Sequence, residues 1–259
     1  MKAQISRAKK ALRKIVMGGK RKASSSFFDE THKFLIGKRS SSSLVVFDVG
    51  AHYGESIRRF RQMFPDCQVH SFEPSRKSYA VLRGAYSNQE SVFLNNSGVS
   101  SSPGNLAFHS NAKSNTSSFV PIDSSSKWVK KRASRLNLDP KEFTQEIYQV
   151  PVTTLDIYAN ERKIQNIDIL KIDTQGHEEE VLDGASGLLN EGKIKIIETE
   201  IILGSAYEKK LNFRDLESRL LDQSYFFYGI DNFGDLMRTP WLSANLLYVH
   251  ESLLSENLI

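Results

Sequence analysis

The sequence predicts an α/β fold built on a mostly parallel sheet within its 259 residues. From Leu44 onward, short apolar strand-like runs alternate with segments of helical spacing, and this alternation is typical of βαβ units. A glycine turn follows the first run. The last two strand-like runs lie close together in the chain, which predicts an antiparallel pair at one edge. Hydrophobic residues make up 39% of the chain, enough for a sizeable core.

Each element follows from its residue pattern. The first strand, at 44–49, is an apolar run that ends at the glycine turn. The next segment, 54–64, places Ile57, Phe60 and Phe64 at helical spacing, and Pro65 ends it. By the same criteria the remaining strands fall at 67–72, 91–95, 167–172, 194–201, 225–230 and 245–250, and the remaining helices at 75–86, 178–189 and 213–221.

The predicted organisation is a basic N-terminal arm at 1–43 and one domain at 44–259, interrupted by an insertion at about 100–150. The insertion is rich in Ser and Asn, contains a basic helix-like stretch at 127–136, and is expected to act as a lid or substrate loop. Residues 1–17 can form a cationic amphipathic helix, which either packs at the edge of the domain or provides a patch for an anionic membrane or a nucleic acid. Residues 40–43 resemble a linker, after which ordered structure should begin.

Charge and composition exclude several classes of protein. Residues 1–39 carry a net charge of +10, whereas the remainder carries −5, and an acidic body disfavours nucleic-acid binding. The single cysteine, Cys67, excludes an intramolecular disulfide and a Cys-rich zinc site. Residues 1–14 lack the apolar core of a secretory signal, and no apolar run is long enough to span a bilayer. We therefore expect a cytoplasmic protein.

The turn after the first strand has the features of a cofactor loop. Gly50 and Gly54 let the backbone approach a ligand closely, with His52 between them. A dinucleotide loop needs a third glycine at the position that Glu55 occupies, and this acid would repel a pyrophosphate. Asp48 would instead face a positively charged ligand. The loop therefore favours S-adenosyl-L-methionine, which carries an ammonium and a sulfonium, over NAD.

Acidic residues recur at the predicted carboxyl ends of later strands. Glu73 ends the second strand, where a carboxylate can accept both ribose hydroxyls of a nucleoside cofactor. Asp173 ends the apolar strand at 167–172, so Asp173, His177 and Glu178 are expected to face the cleft. On the next strand, period two puts Glu198 and Glu200 on one face, where a buried acid needs an ion-pair partner or a function.

The ordered series of motifs resembles the FkbM-type methyltransferases. It comprises FDVGAHYGES, SFEP, NNSGVSS, VPVTTLDIYA, IDILKIDTQGHEEEVLDGA and ETEIILGSAYEKKLNFRDLESRLL, and it covers residues 44–250. The resemblance implies a class I methyltransferase fold, Rossmann-like, with a doubly wound seven-stranded sheet that is mostly parallel and has an antiparallel edge hairpin. It also implies methyl transfer from S-adenosyl-L-methionine, commonly to a hydroxyl of a sugar or a natural product.

The resemblance also assigns residues. It matches Asn96 and Gly98 to the stretch bordering the adenine, and it implies that Glu200 and Tyr207 form an acceptor-side wall. Gln175 stands where the family usually has glutamate, and His52 where Asn or Gly is common. The implied cofactor-binding set is Asp48, Gly50, His52, Gly54, Glu73, Asn96, Gly98 and Asp173.

A base should take the proton of an acceptor hydroxyl as the methyl group arrives. His177 is the first candidate because imidazole titrates near neutral pH, and Asp173 and Glu200 are alternatives. No metal is required. The expected acceptor is a small molecule or a glycan. Two other functions stay open. One is an RNA methyltransferase that binds phosphates through the basic arm and residues 127–135, and the other is a non-catalytic binding module of the same fold.

Overall fold

The computed structural model describes residues 27–36, 44–210, 212–231 and 243–258. The predicted amphipathic helix at 1–17 and the predicted linker at 40–43 lie outside the described residues. None of the helices in the described ranges combines the length and the hydropathy that crossing a bilayer requires.

A seven-stranded sheet forms the centre of the domain, in the order β3-β2-β1-β7-β8-β10-β9. All its neighbours pair in parallel except β10, which lies antiparallel to both β8 and β9. The expected antiparallel edge pair is thus confirmed. The strands are β1 (Val45–Val49), β2 (Gln68–Phe72), β3 (Val92–Asn95), β7 (Ile167–Ile172), β8 (Ile194–Ile202), β9 (Tyr225–Asp231) and β10 (Ser243–His250).

Period-two alternation gives the sheet two buried faces. On the three central strands, Phe47, Leu170 and Ile197 lie in one apolar cluster. Their chain neighbours Val46, Ile169 and Ile196 lie in the cluster on the opposite face. A parallel sheet covered on both faces needs such continuous apolar runs, and for this reason these strands could be recognised in the sequence.

Helices cover both faces of the sheet. One predicted helix, at 178–189, is in fact two short helices that break at Gly184. A Cβ on Gly184 would lie 2.1 Å from the carbonyl oxygen of Ser100, and the Asp156 carboxylate accepts the first amides of the second helix. The helices are α1 (Phe27–Ile36), α2 (Glu55–Met63), α3 (Arg76–Tyr86), α4 (Lys127–Arg135), α5 (Leu155–Glu161), α6 (Glu178–Asp183), α7 (Ser186–Asn190), α8 (Phe213–Leu220) and α9 (Glu251–Leu258).

Helix α1 belongs to the domain core. Its residues Phe28, Leu35 and Ile36 are buried in the same cluster as Phe60 of α2 and Leu253 of α9. The expectation that ordered structure begins only after residue 43 is therefore wrong. Residues 27–36 were assigned to an arm because the N-terminal stretch as a whole is strongly basic.

The insertion is ordered and carries a second, smaller sheet. It contains β4 (Gly98–Val99), β5 (Gly104–Asn111) and β6 (Thr144–Thr153), in the order β4-β6-β5. Helix α4 lies between β5 and β6 in the chain and packs its buried Trp128, Val129 and Ala133 into a third apolar cluster. The predicted basic helix is confirmed, whereas the small sheet and α5 were not predicted.

Candidate active site

A cavity of about 340 Å³ opens at the carboxyl ends of β1, β2 and β7. The chain order of the strands reverses between β1 and β7, and open α/β sheets bind ligands at such a switch point. One wall comes from the β1–α2 loop and the strand ends. The opposite wall comes from the insertion, through Ser114, Asn115, Ser117, Ser118 and Phe119.

The β1–α2 loop is held in the tight conformation that its glycines allow. Gly50 has φ +83°, and a Cβ there would lie 1.9 Å from the carbonyl oxygen of Asp173. The amides of Gly50 and Ala51 both donate to the carbonyl oxygen of Phe72, at 3.0 and 3.1 Å. Gly54 also has positive φ, at +88°. The sequence-predicted loop is thus a bend that brings backbone to the cavity edge.

Glu73 lies at the end of β2, where the sequence places a ribose-binding acid. Its two carboxylate oxygens accept the amides of His52 and Ser75, each at 2.7 Å. Burial raises the pKa of Glu73 to about 7. An ionised carboxylate has about four acceptor positions, so about two are left for a ligand. Asn96 donates to the backbone carbonyl of Glu73 at 2.9 Å, outside the cavity lining, whereas Gly98 lies in that lining.

Lys171, on β7, is a site residue that sequence reasoning missed. Its ammonium lies 3.2 Å from Asp48 and 3.6 Å from Asp173, and it donates to the carbonyl oxygen of Gly50 at 2.9 Å. Although burial works to lower it, the two carboxylates raise the pKa of Lys171. Burial raises the pKa of Asp48, which is fully inaccessible beneath the loop. A lysine near the end of a strand that is otherwise apolar apart from Asp168 was the available signal.

Asp173 and Glu200 form a pair of neighbouring acids with opposite pKa shifts. Their side chains are hydrogen-bonded, and burial together with the Asp173 charge raises the pKa of Glu200 well above its usual value. Burial opposes ionisation of Asp173, but Lys171 holds its pKa below the usual range. The proton therefore resides on Glu200. The Asp173 side chain is 40% exposed and lines the cavity, so its ionised carboxylate is accessible to a ligand.

Gln175 and Tyr207 fix the orientation of this acid pair. The Gln175 amide donates to Asp173 at 2.8 Å and to Glu200 at 2.5 Å. The buried Tyr207 hydroxyl lies 3.1 Å from the Gln175 amide oxygen and donates to the carbonyl oxygen of Thr116 in the insertion at 2.9 Å. Tyr207 thus joins the strand-tip acids to the insertion wall.

His177 and Glu178 do not line the cavity, so the expectation that they face the cleft is wrong. The buried His177 ring contacts Phe119 and lies 3.1 Å from the Ser100 hydroxyl, and burial lowers its pKa to about 4. The fully buried Glu178 carboxylate accepts the amides of Thr174 and Gly176, so it holds the β7–α6 loop. Catalysis by His177 stays a prediction.

Glu198 and Glu200 share a face of β8 but have different surroundings. Glu198 is buried and paired with Arg59 through contacts of 2.9 and 2.5 Å, so it is a structural ion pair. Glu200 has no cation among its hydrogen-bond partners in the described residues and lines the cavity. Within those same ranges, no group of three His, Cys, Asp or Glu residues is arranged to hold a metal ion.

The donor set fits a nucleoside cofactor that carries positive charge. Three acids besides Glu200, namely Glu55, Glu73 and Asp173, line the cavity together with one cation, Lys171, which Asp48 and Asp173 already engage. Such a lining attracts a sulfonium and an ammonium and repels a pyrophosphate. The strand order and this site define a class I, Rossmann-like methyltransferase.

Comparison with known proteins places the chain within one family. It belongs to the FkbM methyltransferase domain family, whose model matches residues 48–227, and it is an S-adenosyl-L-methionine-dependent methyltransferase. It is 26% identical over 200 residues to the 2-O-methyltransferase NoeI of Sinorhizobium fredii, covering 76% of this chain and 78% of that protein.

The chain is also similar to two solved structures. One is a methyltransferase FkbM from Methylobacillus flagellatus, with a TM-score of 0.48 and 16% identity. The match covers 82% of this chain but 48% of that one, so the chain spans about half of its length. The other is magnesium protoporphyrin IX methyltransferase from Synechocystis with bound S-adenosylmethionine, with a TM-score of 0.43 and 13% identity, covering 86% and 77% of the two chains.

Proposed function

We propose that this enzyme methylates a hydroxyl group of a sugar, either in a small molecule or in a glycan. The observation that carries the proposal is the Asp173 carboxylate, which lines the cavity beside Glu200, is 40% exposed and lies 3.6 Å from the Lys171 ammonium. An aliphatic hydroxyl is a weak nucleophile, so its methylation needs a nearby group that takes up its proton. The 26% identity to a 2-O-methyltransferase supports the same chemistry.

The first task of the chain is to hold the cofactor. The Gly50–Gly54 loop would approach it with backbone, Glu73 would accept its ribose hydroxyls, and Gly98 would leave room on the adenine side. When bound, S-adenosyl-L-methionine supplies a methyl group activated by a positively charged sulfur. The acidic lining around Asp173 would stabilise that charge without any direct bond to the sulfur.

The second task is to orient the acceptor and take its proton. Asp173 accepts the proton of the acceptor hydroxyl, and Lys171 keeps the Asp173 carboxylate ionised before the reaction. Gln175 holds the carboxylate in position. Glu200 keeps the shared proton, so the acid pair carries one negative charge before the reaction and is neutral after it. Positioning of this kind supplies much of the rate of a displacement reaction.

The test measures transfer of labelled methyl groups to a panel of sugars and to the matching deoxy sugars. We expect transfer that disappears with one particular missing hydroxyl. Asp173→Asn should lower kcat at least a hundredfold, within the range of general base catalysis, and change cofactor affinity only a few-fold. Asp183→Asn, at a surface ion pair with Arg219, is the matched control and should keep wild-type turnover.

Three outcomes would contradict the proposal. Loss of turnover in His177→Ala, with full turnover in Asp173→Asn, would move the base to His177. Cofactor binding without transfer to any hydroxyl would favour a non-catalytic module. Transfer to an RNA oligonucleotide, and to none of the sugars, would identify an RNA methyltransferase.

A further inference from the structure

We propose that a cationic subsite formed by Lys113, Arg132 and Arg135 binds an oxyanion, a phosphate or a carboxylate, carried by the methyl acceptor. The inference rests on the proposed function, because it assigns a charge to the acceptor of the same site. It concerns side chains that the fold and the methyl-transfer chemistry do not use.

Packing within the insertion brings these side chains together. Ala112, next to Lys113, donates its amide to the carbonyl oxygen of Phe143, and the Phe143 ring contacts Trp128 of α4. The Arg132 guanidinium lies 4.4 Å from the centre of the Trp128 ring, and Arg135 follows on the next turn of the helix. The three cations therefore surround one corner of the insertion.

This corner adjoins the acceptor side of the cavity. Lys113 immediately precedes the turn Ser114–Thr116, of which Ser114 and Asn115 line the cavity. The amide of Thr116 donates to the carbonyl oxygen of Lys113, and the carbonyl oxygen of Thr116 accepts the hydroxyl of Tyr207. Tyr207 and Trp128 share the third apolar cluster. Only a few contacts thus separate the cationic corner from the acid pair that receives the acceptor hydroxyl.

The three cations have no acidic partner among the described residues. No carboxylate in the described part of the chain forms a hydrogen bond or an ion pair with any of them. Burial, and then the neighbouring arginines, lower the pKa of Lys113, and burial followed by Arg135 lowers that of Arg132. Like charges held together in this way are relieved by an anion.

Two other basic side chains, Arg59 and Lys209, are matched by acids. Arg59 pairs with Glu198, and Lys209 pairs with Glu179 and Glu180 at 2.7 Å. Among the described residues, Lys113, Arg132 and Arg135 differ from those two side chains in that they form no ion pair with an acid. An arginine fixed over an aromatic ring is also a rigid donor for a phosphate or carboxylate.

A small anion suits the corner better than a polynucleotide does. Residues 40–259 carry a net charge of −5, and three neighbouring cations match one or two negative charges. An RNA-binding surface needs a longer track of cations along the backbone. The acceptor is therefore inferred to be a phosphorylated or carboxylated sugar.

Calorimetric titration of the full chain at low salt tests the subsite without using catalysis. The probes are glucose 1-phosphate, glucuronate and uncharged glucose. We expect at least one charged sugar to bind at least tenfold more tightly than glucose. The double variant Arg132→Gln/Arg135→Gln should weaken that binding at least tenfold, since it removes two charge-assisted contacts. Lys131→Gln, on the same helix, is the control and should change affinity less than twofold.

The two charged probes separate a phosphate source from a carboxylate source. Equal affinity for all three sugars, or charged-sugar binding that the double variant leaves unchanged, would overturn the subsite. A short RNA that binds at least tenfold more tightly than both charged sugars, and loses binding in the double variant, would also overturn it. Because the readout is binding, failure of methyl transfer to sugars would refute the proposed function separately.

Discussion

The lysine beneath the cofactor loop allows a quantitative test of the buried charges. Lys171 lies 3.2 Å from Asp48, both side chains are almost fully buried, and Asp48 accepts no hydrogen bond from any other group in the described residues. At an effective dielectric constant of about 20, two charges at this distance attract by about 5 kcal/mol. Lys171→Met keeps the volume but leaves Asp48 uncompensated, so we expect the free energy of unfolding to fall by about 3–5 kcal/mol.

Urea unfolding followed by circular dichroism measures this change, and Asp48→Asn/Lys171→Met is the control. The double variant has no uncompensated charge at Asp48, so it should be more stable than Lys171→Met by about 2 kcal/mol or more. Removing Lys171 raises the pKa of Asp48 further, so the defect should shrink as the pH falls and Asp48 becomes protonated. A single variant within about 1 kcal/mol of wild type, or strictly additive changes in the cycle, would refute this reasoning.

Three further outcomes are expected. Cofactor affinity measured by calorimetry should fall by up to tenfold per pH unit below about 7, because the ribose hydroxyls need the ionised form of Glu73; Glu73→Gln should remove that pH dependence. Gly50→Ala should lower the free energy of unfolding, measured in urea, by about 2 kcal/mol or more, because the new Cβ would meet the carbonyl oxygen of Asp173. The control Gly84→Ala, which lies in a helix with open space around it, should raise the free energy of unfolding by about 0.5–1 kcal/mol. Gln175→Glu adds a third carboxyl group to the Asp173–Glu200 pair, so the rising limb of the plot of kcat/KM against pH should move to higher pH. An unchanged pH profile would contradict the assignment of the proton to Glu200.

The fold could be predicted where local sequence and tertiary packing agree. The central strands are buried on both faces and were visible as continuous apolar runs. Strands β5 and β6 were missed because few of their residues are fully buried, so they carry little apolar alternation. Helix α1 was assigned to a basic arm because the dominant signal there was charge.

The site residues that could be predicted are those whose position follows from the local sequence. Gly50 and Glu73 follow their strands directly, and both lie at the cavity as expected. Lys171 was missed because its importance comes from Asp48, which is distant in the sequence and is brought close only by the pairing of β1 and β7. His177 was favoured for its intrinsic pKa, but the chain turns its ring toward Ser100 and Phe119.

The two walls of the cavity come from separate stretches of polypeptide. The strand ends provide one, and a folded insertion between β3 and α5 provides the other. The two stretches meet at polar contacts such as the Ser118 hydroxyl on the carbonyl oxygen of Thr174 at 3.0 Å and Tyr207 between Thr116 and Gln175. We therefore expect that exchanging about 50 residues of the insertion alters which acceptor is methylated, while the Gly50–Gly54 loop and Glu73 keep their positions at the opposite wall.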